Sequence, residues 1–135
     1  TYIFATESCS LAAKIILEQT NNGASGCAGD PLIFVRTYQA LDVCGNFTNV
    51  VQTVTVEDDV PPMLYGVPAS TNIECGLPPP APTVTADDCY RGSDVSFSET
   101  TNGVNPVIYT RVWSAMDACG NFIAATQVVS VTSCE

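Results

Sequence analysis

The sequence has no histidine, and only four of its 135 residues are Lys or Arg. Without histidine the usual Ser-His-Asp and Cys-His arrangements cannot form, and no Gly-x-Ser-x-Gly turn or glycine-rich phosphate loop is present. A zinc site is also disfavoured, because the cysteines include no C-x-x-C pair. These absences indicate that the protein is not an enzyme.

The shortage of basic residues leaves a formal net charge of −10, with 14 Asp and Glu against four Lys and Arg. Nucleic acids and anionic membranes need Lys and Arg opposite their phosphates, so both are disfavoured as partners. Long apolar runs are missing too, because Thr, Asn or Gln interrupts each one, which argues against membrane insertion. The acidic charge fits solubility or divalent-cation binding.

Cysteine, in contrast, is plentiful, with seven residues in this short sequence. Small domains bury little apolar core and often depend on disulfides, which persist in oxidising compartments. The sequence begins at Thr1 rather than at a methionine, which fits a secreted product after removal of a signal peptide. We therefore expect an extracellular or cell-surface protein.

The sequence repeats itself. Residues 36–56 match residues 111–131 at an offset of 75, with ten of the 21 positions identical, and the phrase ALDVCGNF returns as AMDACGNF. Upstream the offset becomes 80, so Cys9 aligns with Cys89. The second copy therefore lacks five residues near positions 24–30, a stretch that contains Cys27. Internal repetition of this kind indicates one structural unit built twice.

Both copies have the pattern of β-strands, with alternating or Val/Thr-rich stretches separated by turn residues. Asp-x-Cys-Gly-Asn fits a tight hairpin, because Gly and Asn tolerate positive φ. A helix at residues 11–19 is disfavoured, since its counterpart at 91–99 is a poor helix former. The predicted strand pairs are 2–6 and 82–86, 14–18 and 94–98, 36–41 and 111–116, and 49–56 and 124–131. Short strands at this spacing predict a β-sandwich.

Three motifs of the second copy resemble immunoglobulin-like repeats of the hyalin-repeat (HYR) type, found in large secreted and cell-surface proteins. They are Glu-Cys-Gly-x-Pro-Pro at 74–79, Thr-Ala-Asp-Asp-Cys at 85–89 and Arg-x-Trp-x-Ala-x-Asp-Ala-Cys-Gly-Asn at 111–121. Residues 55–62 are similar to the stretch that joins such repeats. The resemblance implies an all-β chain of two tandem immunoglobulin-like β-sandwich domains, residues 1–59 and 60–135, with structural or adhesive roles and no enzymatic activity.

The two copies differ at their beginnings. The second has an additional predicted strand at residues 63–75, followed by a proline-rich bend at 77–82. Because Thr1 aligns with Ala81, the first domain as written lacks this opening strand. One interpretation is a sequence cut from a longer polypeptide. The other is self-assembly, in which strand sharing or tight end-to-end packing covers the exposed sheet edge.

Sandwich topology of this type implies a disulfide pattern. The expected pairs are Cys9–Cys44, Cys89–Cys119 and Cys75–Cys134. Cys27 is then left over, and an odd cysteine in a secreted chain suggests an unpaired thiol or an intermolecular bond. A competing scheme joins Cys27 of one subunit to Cys134 of the next.

Acidic residues and one asparagine suggest two further sites. The candidate calcium ligands are Asp58, Asp59, Asp87, Asp88 and Asp117, since Ca²⁺ prefers clustered carboxylate oxygens. The alternative is that these residues solvate the linker and cap turns. Asn46-Phe-Thr48 is a glycosylation sequon, so Asn46 is a candidate for a glycan.

Two functional hypotheses follow. The first is an extracellular structural protein, the protomer of a self-assembling filament or surface layer joined head-to-tail by strand sharing, by a disulfide or by both. The second is an adhesive cell-surface module that binds glycan or protein through its end loops. The incomplete first domain favours the first hypothesis.

Overall fold

A computed structural model describes residues 3–4, 14–88 and 93–134, and all the regular structure in these ranges is β. The strands are β1 (Lys14–Asn21), β2 (Leu32–Leu41), β3 (Phe47–Val56), β4 (Met63–Tyr65), β5 (Thr71–Glu74), β6 (Thr85–Asp87), β7 (Asp94–Asn102), β8 (Val107–Met116) and β9 (Phe122–Thr132). The predicted all-β class is confirmed. No described residue belongs to a helix long and apolar enough to cross a membrane.

The chain divides into two compact units, Thr1–Asp58 (unit 1) and Asp59–Glu135 (unit 2). The described part of unit 1 forms one antiparallel sheet in the order β1-β2-β3. Unit 2 contains a four-stranded sheet in the order β5-β9-β8-β7 and a two-stranded sheet of β4 and β6. Several sheets of this kind are consistent with a β-sandwich.

The repeat seen in the sequence is present in the strand register. In unit 1 Lys14 pairs with Leu41, and in unit 2 Asp94 pairs with Met116, which are the aligned positions. The next pair of strands matches as well, since β2–β3 and β8–β9 start and end their registers at aligned residues. The five additional residues of copy one fall in the β1–β2 loop, residues 22–31, whereas residues 103–106 join β7 to β8.

The opening stretch of unit 2 differs from the single strand predicted at residues 63–75. It forms β4 and β5, separated at Gly66, which has a φ of +89°, and at Pro68. Left-handed backbone and a residue without an amide hydrogen both end a ladder. β4 pairs with β6, whereas β5 pairs in parallel with β9, so the stretch crosses from one sheet to the other.

The other predicted strands are found in the described ranges with small shifts. The strand predicted at 82–86 is observed as β6, which begins at Thr85 because prolines precede it. Its counterpart at 2–6 lies mostly outside the described residues, and Ile3 and Phe4, which are described, are not in a strand. Residues 14–18, predicted as strand rather than helix, lie in β1.

Candidate functional site: the inner face of unit 1

The repeated phrase forms the hairpin corner between the second and third strands of each copy. In unit 1 Asn46 donates from its backbone N to Asp42 Oδ1 at 2.8 Å and from Nδ2 to Asp42 Oδ2 at 2.7 Å. Gly45 has a φ of +86°, the conformation that this turn requires and that glycine adopts without strain. These contacts agree with the interpretation of the phrase as a turn rather than a catalytic motif.

The corner of unit 2 has the same geometry and is more buried. Asp117 is 6 % exposed and accepts hydrogen bonds from Cys119 N at 2.8 Å and from Asn121 N at 2.9 Å on one oxygen. Its other oxygen accepts from Asn121 Nδ2 at 2.8 Å. Burial alone would raise the pKa of Asp117, but the hydrogen bonds from Asn121, Cys119 and Gly120 outweigh it and lower the pKa below 3.8.

In unit 1 the side-chain hydrogen bond from Asn46 likewise lowers the pKa of Asp42.

The side-chain amide of Asn46 is also the predicted glycosylation site. Asn46 is exposed, and its Nδ2, the atom that N-glycosylation modifies, is the atom that donates to Asp42. The sequon therefore coincides with the turn motif, and the amide has a structural role with or without a glycan.

Two of the five candidate calcium ligands come together within unit 2. Asp88 and Asp117 each place a carboxylate oxygen within 4.8 Å of the other. Asp87 is exposed and accepts a hydrogen bond from Asp88 N at 3.0 Å. In unit 1 Asp58 continues β3, donating from its N to Gly26 O at 2.8 Å, and Asp59 is exposed.

The cysteines agree with the prediction in one pair and correct it at another position. Cys75 and Cys134 form a disulfide with a Cα–Cα distance of 4.4 Å, as predicted. Cys27, expected to be left over, is disulfide-bonded, because the β1–β2 loop brings it into an ordered turn with Asp30 and Asp58. Cys119 is also disulfide-bonded and Cys44 is exposed. The proposed partners Cys9 and Cys89 lie outside the described residues.

The four-stranded sheet of unit 2 has an inner face that is well buried. Its central side chains are Arg111 and Trp113 of β8 and Gln127 and Val129 of β9, none of them more than 3 % exposed. Arg111 Nε donates to Glu99 Oε2 of β7 at 2.6 Å, and Arg111 Nη1 donates to Gln127 Oε1 at 3.3 Å. A buried guanidinium requires a carboxylate and hydrogen-bond acceptors of this kind.

The stretch that covers this face is residues 67–82, which we call the covering segment. Arg111 Nη2 donates to the carbonyl of Pro79 at 2.7 Å, and Gln127 Nε2 donates to the carbonyl of Ala69 at 2.9 Å. Between these two contacts lies β5, which adds a parallel strand to β9. The covering segment thus provides hydrogen-bond acceptors for both buried polar side chains.

The aligned face of unit 1, which we call the inner face of unit 1, carries Arg36 and Tyr38 of β2 with Val50, Gln52 and Val54 of β3. Directly opposed residues of an antiparallel sheet share a face, which assigns these side chains to one side. Val50 is 55 % exposed, and the other four are half-buried. The two faces are built from aligned residues, yet only that of unit 2 is buried.

Among the described residues, the polar contacts on the inner face of unit 1 stay within the sheet. Arg36 Nε donates to Gln19 Oε1 at 2.7 Å, and Arg36 Nη1 approaches Gln52 Oε1 at 3.5 Å. The same face borders a cavity of about 400 Å³, lined by Ile3, Arg36, Tyr38, Val50 and Gln52. Among the described residues, no carbonyl corresponds to that of Pro79 or Ala69.

In the part of the chain that the structure describes, no strand pairs with the outer edge of β3. The backbone N of Asn22 donates to Ile33 O, so the backbone groups of Ile33 face β1. Ile33 is paired with Thr55, and the backbone groups of successive residues point alternately to the two sides of a strand. The backbone groups of Thr55 and Glu57 therefore point away from β2. β3 is an edge strand of the described sheet, whereas the aligned edge of β9 pairs with β5.

Sequence reasoning led us to expect an exposed sheet edge in the first domain but did not single out Gln19. This residue aligns with Glu99 at the offset of 80, so the arginine that has a carboxylate partner in unit 2 has an amide partner in unit 1. The alignment of the two copies already contains this difference between Gln19 and Glu99. The difference matters for Arg36 because the strand register places Gln19 directly opposite that arginine. No protein-family model matches this chain, and the curated proteins contain no significant match to it.

Proposed function

We propose that this chain is an extracellular structural protein, the protomer of a self-assembling filament or surface layer. Neighbouring copies are joined by strand sharing at the inner face of unit 1. The observation that carries the proposal is the contrast between the aligned faces, in which Trp113 is 2 % exposed and its counterpart Tyr38 is half-buried. An uncovered face with an open strand edge is a site for strand addition.

Three other features support an extracellular setting. The Cys75–Cys134 disulfide fits an oxidising compartment. The net charge of −10 fits a soluble protein outside the cell. The motifs of the second copy resemble hyalin-type repeats of secreted and cell-surface proteins. Cys27 is disulfide-bonded, so the joint proposed here depends on strand sharing and not on that thiol.

Two neighbouring valines provide a matched test. Val50 lies on the inner face and Val51 on the opposite face, and they are 55 % and 61 % exposed. The full chain is purified as wild type, Val50→Asp and Val51→Asp, and its assembly is followed by sedimentation velocity and by electron microscopy. We expect wild type and Val51→Asp to form oligomers or filaments, and Val50→Asp to remain monomeric.

The outcomes separate this function from its alternatives. A wild-type chain that stays monomeric at all accessible concentrations, with both units folded, contradicts the proposal. Equal assembly of all three proteins contradicts the use of the inner face. A monomer that binds glycans or a protein through its hairpin loops would instead support an adhesive module.

A further inference from the structure

We infer that the segment covering unit 1 is an extended strand of a second copy that brings a carboxylate to Arg36. This inference rests on the proposed function and adds the direction, the main-chain contacts and the charge of the occupant. Each of the three is read from the aligned face of unit 2, where an equivalent cover is in place.

The direction follows from the strand pairing of unit 2. There β5 runs parallel to β9, with Thr71 opposite Val129 and Glu74 opposite Thr132. The aligned positions on β3 are Val54 to Glu57, at the edge whose backbone groups point away from β2. A strand added at this edge completes the same arrangement when it runs parallel to β3.

The main-chain contacts of the incoming strand are inferred from an arginine and a glutamine that occur at aligned positions in both copies. Arg111 and Gln127 donate to carbonyls at the two ends of the covering segment. Arg36 and Gln52 occupy the aligned positions, and the cavity of about 400 Å³ lies directly against both. Carbonyls of an incoming strand are therefore the natural acceptors for Arg36 Nη2 and Gln52 Nε2.

The charge of the occupant follows from the difference between Gln19 and Glu99. Covering the face would bury Arg36 as Arg111 is buried, but the partner across the sheet is an uncharged amide. A buried guanidinium without a carboxylate carries a large desolvation cost. The occupant offsets this cost if it supplies the carboxylate itself. A second copy has 14 Asp and Glu for this purpose, against four Lys and Arg.

The first test changes the charge beside Arg36. Gln19→Glu supplies a carboxylate from within the chain, and Gln39→Glu, on the opposite face of β2, makes the same change in net charge away from the site. Self-association of the full chain is measured by sedimentation equilibrium. We expect Gln19→Glu to weaken it at least tenfold relative to Gln39→Glu, because two carboxylates then compete for Arg36. Unchanged or tighter association overturns the inference.

The second test does not require the chain to assemble. The probes are labelled peptides of residues 67–82 in which Cys75 is replaced by Ser. One peptide carries Pro78→Glu and the other Pro78→Gln. Position 78 is chosen because Pro78 is half-buried and adjoins Pro79, whose carbonyl accepts from Arg111. Their binding to the full chain is followed by fluorescence anisotropy. We expect the glutamate peptide to bind at least tenfold more tightly than the glutamine peptide, and Arg36→Gln to remove this preference.

The two tests distinguish the inference from the proposed function. Preferential binding of the glutamate peptide to a chain that never self-associates contradicts the proposed function and the second copy as occupant, and supports only the requirement for a carboxylate beside Arg36. Self-association in which Gln19→Glu behaves as Gln39→Glu, with equal binding of both peptides, contradicts the inference alone. A chain that neither assembles nor binds either peptide overturns both.

Discussion

Arg111 and Glu99 form an ion pair at 2.6 Å across the inner face of unit 2, whereas the aligned Arg36 and Gln19 form a hydrogen bond between a charged and a neutral group. Arg111 is almost fully buried and Arg36 is half-buried. The two aligned sheets therefore differ, because the arginine of unit 2 depends on its partners whereas solvent still reaches that of unit 1.

Arg111→Gln is expected to destabilise unit 2 far more than Arg36→Gln destabilises unit 1. Removal of Arg111 leaves Glu99, Gln127 Oε1 and the Pro79 carbonyl without their donor, at a cost of about 2–4 kcal/mol. The matched change at Arg36 costs less than about 1 kcal/mol, because water replaces its contacts. Trp113, the single tryptophan, reports the unfolding of unit 2 by fluorescence, and hydrogen exchange reports unit 1. Equal losses would contradict this account.

The sequence was sufficient for the parts of the fold that depend on local patterns. Alternating apolar or Val/Thr-rich stretches predicted β1, β2 and β3 and their counterparts β7, β8 and β9. The phrase around Asp42 and Asp117 predicted the turns, because the Gly and Asn three and four residues after each aspartate tolerate the positive φ of a tight hairpin. The break of residues 63–75 at Gly66 was missed, because β-rich composition on both sides outweighed the Gly-Val-Pro signal.

Other features depend on three-dimensional proximity and could not be predicted. In the alignment of the two copies Cys27 is the cysteine without a counterpart, which led to the expectation that it would be left over, but its bonding depends on which side chains the fold brings together. The approach of Asp88 to Asp117 is likewise a property of packing within unit 2. The exposure of the inner face of unit 1 agrees in outline with the exposed sheet that the alignment predicts, since Val50 is 55 % exposed and Tyr38 is half-buried among the described residues.

Asp117→Asn is expected to weaken the dependence of unit 2 stability on acid. The pKa of Asp117 is lowered on folding, so its contribution is present above its ordinary pKa of 3.8 and is lost as pH falls through the lower value of the folded state. Urea unfolding of wild type and Asp117→Asn, followed by Trp113 fluorescence from pH 6 to pH 2, tests this. The variant should be less stable at pH 6 and should lose less stability on acidification. Parallel pH profiles would refute the role of the carboxylate.

Gly23, which follows β1, and Gly103, which follows the aligned strand β7, should tolerate alanine very differently. Gly103 has a φ of +84°, and a Cβ there would lie 2.5 Å from Pro106 O. Gly23 has a φ of +70° and nothing within 4 Å, because its loop is five residues longer. We expect Gly23→Ala to cost about 1 kcal/mol, from left-handed strain alone, and Gly103→Ala to cost more than about 2 kcal/mol. Hydrogen exchange of β1 and β7 measures both, and similar costs would contradict the loop geometry.

Loss of the Cys75–Cys134 disulfide should destabilise unit 2 without loosening the β7–β8–β9 sheet. The bond joins the end of β5 to the residues after β9, next to the hydrogen bond from Cys75 N to Thr132 O at 2.9 Å. Closing a loop of this length typically contributes about 2–4 kcal/mol. The double variant Cys75→Ser, Cys134→Ser is expected to show that loss in urea unfolding, and to retain the protected amides of β8. Loss of protection across β8 would mean that the disulfide organises the whole sheet.

The open edge of β3 makes a prediction at the level of single amides. Thr55 and Ser130 are aligned residues whose backbone groups point away from the central strand, but Ser130 lies in the parallel ladder with β5. In dilute monomer, NMR hydrogen exchange of Ser130 should be at least tenfold slower than that of Thr55, because a paired amide exchanges only when the strand opens. Assembly by strand sharing adds the same ladder to β3, so Thr55 should become as protected as Ser130 in the oligomer. If the Thr55 amide is already protected from exchange in the monomer, the edge of β3 is covered within one chain. If the Thr55 amide still exchanges rapidly in the oligomer, the copies are joined through another surface.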